Sequence, residues 1–248
     1  MSADFEVRIF PDQAELARGA ANEFARLARE AVRERKLFTV ALSGGSTPRT
    51  LYSLLAEEPF RSELPWHETH FFWGDERHVP PTHSESNFRM AYETLLSKTP
   101  IPSENIHHIK TEEPEPAEAA NEYEQELKSF FKLSSGQLPR FDLMLLGLGT
   151  DGHVASLFPE TAALQDREHL CVVNWAAKLK AWRFTLTLPV LNNAANVVLL
   201  VGGEEKASIV RAVLTGERTE KYPAQLVQPT NGNLLWLLDR SAGSLLQE

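Results

Sequence analysis

A chain of 248 residues, 42% apolar and 24% charged, is long enough to bury a full core, and residues 1–248 are expected to form a single α/β domain. A formal charge of -9, with no run of five or more Lys or Arg, excludes a general nucleic-acid or anionic-membrane surface, so any anionic ligand must be held by local charge. Cys171 is the only cysteine, which excludes an intrachain disulfide and a CxxC metal or redox pair. The N-terminal "MSADFEVRIF" carries acids where a signal peptide would carry lysines, and no segment approaches the ~20 apolar residues of a membrane span. The expected setting is the reduced cytoplasm.

In chain order, "FEVRIF" alternates like a half-buried strand. A long helix follows, opened by Asp12 with Glu15 in capping-box spacing, and Leu16, Ala20, Phe24, Leu27 and Ala31 recur on its buried stripe. Continuous apolar runs then come at "LFTVAL", "HFFWG", "FDLMLLGLG", "LCVVNW", "NVVLLV" and "NLLWLLD", which suits strands buried on both faces. Between them the patterns predict helices over 48–55, 85–96, 117–131 and 204–214. "KTEEPEPAE" and "KLSSGQLPR" read as solvated connections, and no internal repeat occurs. The alternation of strand and helix predicts a mostly parallel, doubly wound, Rossmann-like sheet with helices on both faces.

In such sheets ligands collect just beyond the carboxyl ends of the strands. The first candidate is "LSGGSTPRTL": Gly44 and Gly45 allow close backbone approach, Ser46 and Thr47 add hydroxyl donors, and Pro48 suits a first helical turn. Free N–H groups at a helix start make a phosphate site; an ordinary glycine turn with Ser46 or Thr47 as N-cap fits the same residues. The Walker spacing is missing, so phosphate would belong to a small molecule rather than a nucleotide. The second candidate is "WGDERHV", where Arg77 can present a planar fork to an anion beside Asp75 and Glu76; an internally paired surface cluster is the alternative.

The third is "GLGTDGHVASLFP", in which Gly147, Gly149 and Gly152 satisfy GxGxxG. Its mid-chain position, the limit that Pro159 sets on a following helix, and a next strand ending in "NW" rather than an acid all argue against a dinucleotide. What remains is a loop that sets Asp151 two residues before His153, so that a carboxylate could orient an imidazole able to take a proton near neutral pH; a histidine bonded within its own loop is the alternative. The fourth place is a pair of cations, Arg183 in "WRFTLT" and Lys206 in "GGEEKASIV". There is no GxSxG elbow and no HExxH site, and neither His78 with His83 nor His107 with His108 has metal-ligand company, so no metal and no cofactor are expected.

Taken in order, "ALSGGSTP", "FFWGDERHVPPTHSESN", "LGLGTDGHVASLFP", "RFTLT" and "GGEEK" resemble the 6-phosphogluconolactonase family over nearly the whole chain. That family is similar in fold to glucosamine-6-phosphate deaminase; "GDER" and "ASLFP" favour the lactonase branch, and Glu85, where lactonases more often carry Asp, is a small departure. The resemblance implies hydrolysis of 6-phospho-D-glucono-1,5-lactone, with His153 as general base, Asp151 orienting it or the water, and Gly44, Gly45, Ser46, Thr47, Asp75, Arg77, Arg183 and Lys206 binding the substrate and its phosphate. It also implies a monomer whose only partner is a small sugar phosphate. Two rival readings are an isomerase or deaminase, in which Asp75 and Asp151 move protons, and a non-catalytic sugar-phosphate sensor.

Overall fold

The computed structural model describes residues 5–177, 179–219 and 221–246. Its strands are β1 (Phe5–Phe10), β2 (Phe38–Leu42), β3 (Thr69–Trp73), β4 (Asp75–Arg77), β5 (Leu143–Leu146), β6 (Cys171–Ala176), β7 (Ala181–Leu186), β8 (Asn196–Val201) and β9 (Asn233–Asp239). Six of them form one sheet in the order β1-β9-β8-β5-β2-β3, and every neighbouring pair in it is parallel. The apolar runs explain this arrangement: β2 and β5 are buried along their whole length, as strands covered by helices on both faces must be. β1 is the exception. It lies at the sheet edge, and Phe5 and Ile9 are each 38% exposed.

The chain steps outward from β2 to β3, then returns to the other side of β2 with β5 and continues through β8 to β9. The strand order therefore reverses between β2 and β5, the crevice where doubly wound sheets bind ligands.

"LCVVNW" departs from expectation. It was expected to be buried on both faces of the parallel sheet, but as β6 it is the edge of a second, antiparallel sheet in the order β4-β7-β6, and Trp175 is 43% exposed. The connection from Ala176 to Ala181 is far shorter than a parallel crossover requires, so β7 must return antiparallel. Gly74 joins the two sheets: its N–H donates to Leu42 O at 2.9 Å in the large sheet, and its carbonyl accepts from Leu186 N at 2.9 Å in the small one.

The long helix Gln13–Arg35 starts as predicted, with the Asp12 carboxylate accepting from Glu15 N at 2.9 Å, while the Glu15 side chain pairs with Arg18 at 3.3 Å. Its predicted stripe, Leu16 to Ala31, is buried. The helix expected over 48–55 begins earlier, at Ser46–Leu55, and the one expected over 85–96 shortens to Asn87–Thr94: Ser86 is its N-cap, and Leu95 breaks it before a 3₁₀ turn, Leu96–Lys98. Pro116–Phe130 matches 117–131, and 204–214 divides into a short 3₁₀ turn, Glu204–Lys206, and the helix Ala207–Thr215. One contiguous apolar cluster, including Phe72, Leu145, Phe184 and Trp236, runs under both sheets. Among the described residues no helix is long and apolar enough to cross a membrane.

Candidate active site

The loops that follow β2 and β5, the paired strands β4 and β7, and the turn after β8 enclose a cleft of about 320 Å³ at the strand-order reversal. Of the residues singled out in the sequence, Gly44, Gly45, Ser46 and Thr47 line it from the first loop, Asp75, Arg77 and Arg183 from the small sheet, and His153 and Lys206 from the far side. Asp151 stands behind His153.

The glycine loop is shaped by two close approaches. A Cβ on Gly44 would lie 1.9 Å from the Asn87 Oδ1, and Gly45 takes φ 113° as the N-cap of Ser46–Leu55. No side chain caps that helix, so the reading of Ser46 or Thr47 as N-cap does not hold: glycine occupies the cap because the backbone needs positive φ there. The first N–H groups of the helix, which have no intrahelical acceptor, thus belong to residues lining the cleft. The Tyr52 hydroxyl braces the loop by donating to Ser43 O at 2.9 Å and accepting from Ser43 N at 3.0 Å, and burial pushes its phenol well above the usual range. The Ser43 Oγ is buried in the cleft wall without a hydrogen-bond partner among the described residues. Sequence reasoning passed over Ser43; its signal was its place as the first residue beyond a fully buried strand.

"WGDERHV" is not a surface cluster, since Asp75 is 7% and Glu76 1% exposed. The Glu76 carboxylate accepts from Arg77 N (2.7 Å), Asn87 N (2.8 Å), Phe88 N (2.7 Å) and Ser86 Oγ (3.1 Å), and so fastens β4 to the start of helix Asn87–Thr94. Burial pushes its carboxyl above the usual range despite these donors. Asp75 Oδ2 accepts from Ser156 Oγ at 2.8 Å.

Arg183 is 8% exposed and faces Arg77 across the β4–β7 pair. Burial, followed by the Arg77 charge, pushes the Arg183 guanidinium below its ordinary value. Arg77 donates to the Glu85 carbonyl at 2.6 Å, a backbone contact to which the unusual Glu85 side chain is irrelevant, and Lys206 Nζ donates to Leu148 O at 2.8 Å. None of these three cations has an ion-pair partner among the described residues. The cleft therefore sets three such cations beside the carboxylates of Asp75 and Glu205, a local excess of positive charge in an acidic chain.

The loop after β5 folds back on itself, with Gly149 N donating to His153 O at 2.9 Å and Gly152 at φ 81°. It opens no helix; the next one is the short Ala162–Gln165, so the GxGxxG stretch lacks the helix start a dinucleotide would need. The His153 Nδ1 lies 2.5 Å from Asp151 Oδ1, which also accepts from His153 N at 3.2 Å. Burial of Asp151 works against its charge, but the His153 hydrogen bonds outweigh it and hold the carboxyl below the usual range. An ionised Asp151 assigns the proton to Nδ1 and leaves Nε2 as an acceptor. The ring packs against Phe158, with centroids 4.6 Å apart, and over Gly149.

Residues 11–236 match the family model for glucosamine-6-phosphate isomerases and 6-phosphogluconolactonases. The chain belongs to this family. Within the glucosamine-6-phosphate isomerase/6-phosphogluconolactonase family it is 42% identical over 241 residues to a 6-phosphogluconolactonase of Nostoc sp., covering 97% of this chain and 98% of the relative. It is 45% identical over 219 residues to one of Synechocystis sp., covering 88% of each. The solved 6-phosphogluconolactonase of Trypanosoma cruzi superimposes with a TM-score of 0.88 at 29% identity, over 100% of this chain and 99% of that one. A monomeric glucosamine-6-phosphate deaminase shares the fold, with a TM-score of 0.79 at 20% identity and coverage of 97% of this chain and 100% of the deaminase.

Proposed function

We infer that this protein hydrolyses 6-phospho-D-glucono-1,5-lactone to 6-phospho-D-gluconate, the lactonase step of the oxidative pentose phosphate pathway. The observation that carries the reading is a His153, bonded to Asp151, that lines the same cleft as three cations without ion-pair partners among the described residues.

His153 Nε2 takes a proton from a water whose oxygen attacks the C1 carbonyl. Asp151 holds the ring in the reacting tautomer and stabilises the imidazolium that forms. The tetrahedral oxyanion collapses with cleavage of the C1–ring oxygen bond, and the imidazolium returns its proton to the departing ring oxygen. A strained, activated lactone requires no covalent nucleophile and no metal. Arg77, Arg183, Lys206 and the first N–H groups of Ser46–Leu55 supply positive charge for the phosphate dianion and the developing oxyanion, and fix the distance between them. Asp75, as a carboxylate, takes the hydroxyl side of recognition and accepts from the sugar rather than touching the phosphate.

On this reading residues 1–248 are one catalytic domain, acting as a cytoplasmic monomer on a small sugar phosphate. The family likeness to a deaminase concerns the fold, and a sensor would have no use for the Asp151–His153 couple. To test the reading, the lactone is generated in situ by glucose-6-phosphate dehydrogenase and its loss followed above the spontaneous rate. The wild type should accelerate it and His153→Ala should lose about 10²–10⁴ in kcat. No acceleration by the wild type, with ammonia release from glucosamine 6-phosphate instead, would establish the deaminase.

A further inference from the structure

Asp75 poses an electrostatic problem. Its carboxylate is almost fully buried in the cleft wall, and its charge is felt by the Arg183 guanidinium, yet no described ion pair joins it to Arg183 or to Arg77. A buried carboxylate and a buried guanidinium gain most from direct contact, and an ion pair of that kind would neutralise the cations that an incoming phosphate needs.

Ser156 accounts for the separation. Its Oγ is the described donor to Asp75, on Oδ2, at 2.8 Å. The serine is itself immobilised: it is 2% exposed, its N–H donates to Thr185 Oγ1 at 3.3 Å, and its carbonyl accepts from Asn174 Nδ2 at 2.8 Å. Both partners lie in the small sheet, and Thr185 stands directly opposite Asp75 in the β4–β7 register. Ala155, just before it and also in the cleft wall, is held at φ 48°, a left-handed conformation that a non-glycine residue keeps only where its surroundings impose it.

We propose that Ser156 is a positioning residue that tethers the Asp75 carboxylate away from Arg77 and Arg183, keeping both guanidinia available to a phosphate dianion. Ser156 also lines the cleft, and in this role it acts through Asp75. The inference deepens the lactonase reading, on which it rests for the identity of the phosphate ester, but its measurement does not require hydrolysis.

The test is titration calorimetry of the full chain with inorganic phosphate. Ser156→Ala should weaken phosphate binding about tenfold, because the released carboxylate pairs with an arginine. Asp75→Asn should bind phosphate at least as tightly as the wild type. The double variant Ser156→Ala/Asp75→Asn should return to the Asp75→Asn affinity, since no charge is left to intrude; a merely structural serine would give no such rescue. Should Ser156→Ala fold poorly by circular dichroism, the nearly isosteric Ser156→Cys, a weak donor, should show a smaller loss in the same direction. Unchanged affinity in the folded serine variants, or a double variant as weak as Ser156→Ala, overturns the tether. A wild type that binds phosphate but leaves the lactone untouched overturns the lactonase reading alone.

Discussion

Arg77 on β4 and Arg183 on β7 are directly opposed in an antiparallel register, which sets both side chains on one face of the small sheet. Like charges directly opposed destabilise a strand pair. Two guanidinia kept there without an ion pair among the described residues carry an unfavourable interaction, which on the proposed reading a bound phosphate dianion would relieve.

Arg183→Met removes one of the two charges while keeping an apolar stem among buried neighbours. KM for the phosphorylated lactone should rise about ten- to a hundredfold, the range of a charge-assisted hydrogen bond, with kcat changed much less and the melting temperature not lowered. Steady-state kinetics beside a thermal melt check this; an unaltered KM would remove Arg183 from phosphate binding.

Gly149→Ala tests the placement of the imidazole. A Cβ at this position would lie 2.0 Å from His153 Nδ1, so the ring has to leave the position in which it meets Asp151. The expected result is a fall in kcat on the order of 10²-fold with KM nearly constant, as for a displaced catalytic group. Retention of full kcat would show that the ring does not need its contact with Asp151.

A pH effect on stability follows from a pair of histidines remote from the chemistry. The His70 Nδ1 lies 3.0 Å from His107 Nε2, and His107 Nδ1 lies 2.7 Å from Glu126. Burial, and then the neighbouring His107, push His70 down to about 4, against about 6.5 for an unperturbed imidazole. The unfolded chain therefore binds this proton at higher pH than the folded one, so stability is lost as pH falls through the window from about 6.5 to about 4. Melting temperatures recorded across that window should drop more steeply for the wild type than for His70→Gln. Parallel curves would show that His70 does not drive the acid sensitivity.

Glu76→Ala should cost about 2–3 kcal/mol, because it leaves the buried N–H of Asn87 and the part-buried N–H groups of Arg77 and Phe88 without their carboxylate. Glu76→Gln, which keeps an acceptor oxygen, should cost less. Urea denaturation of the three proteins measures the difference, and equal stabilities would mean that solvent satisfies those groups.

The residues that the sequence makes legible are those whose environment is local. "FTVAL", "LMLL" and "NVVLLV" are strands because an uninterrupted apolar run can be satisfied only by burial on both faces, whatever lies next to it. Gly44 and Gly45, and the loop that carries Asp151 and His153, could be singled out for the same reason: each loop follows such a run, and the end of a buried parallel strand is where a doubly wound sheet exposes its loops. The tertiary structure alone decided what depends on partners distant in the chain. "LCVVNW" carries the same apolar pattern as a central strand, and only the short return to β7 makes it an antiparallel edge. Glu76 looks like one member of a surface charge cluster until helix Asn87–Thr94 docks its N–H groups on it. Arg77 opposes Arg183, and Ser156 reaches Asp75, across separations that no periodicity records, since side-chain charge and hydrogen bonding act through space and register between strands is set by how whole elements pack.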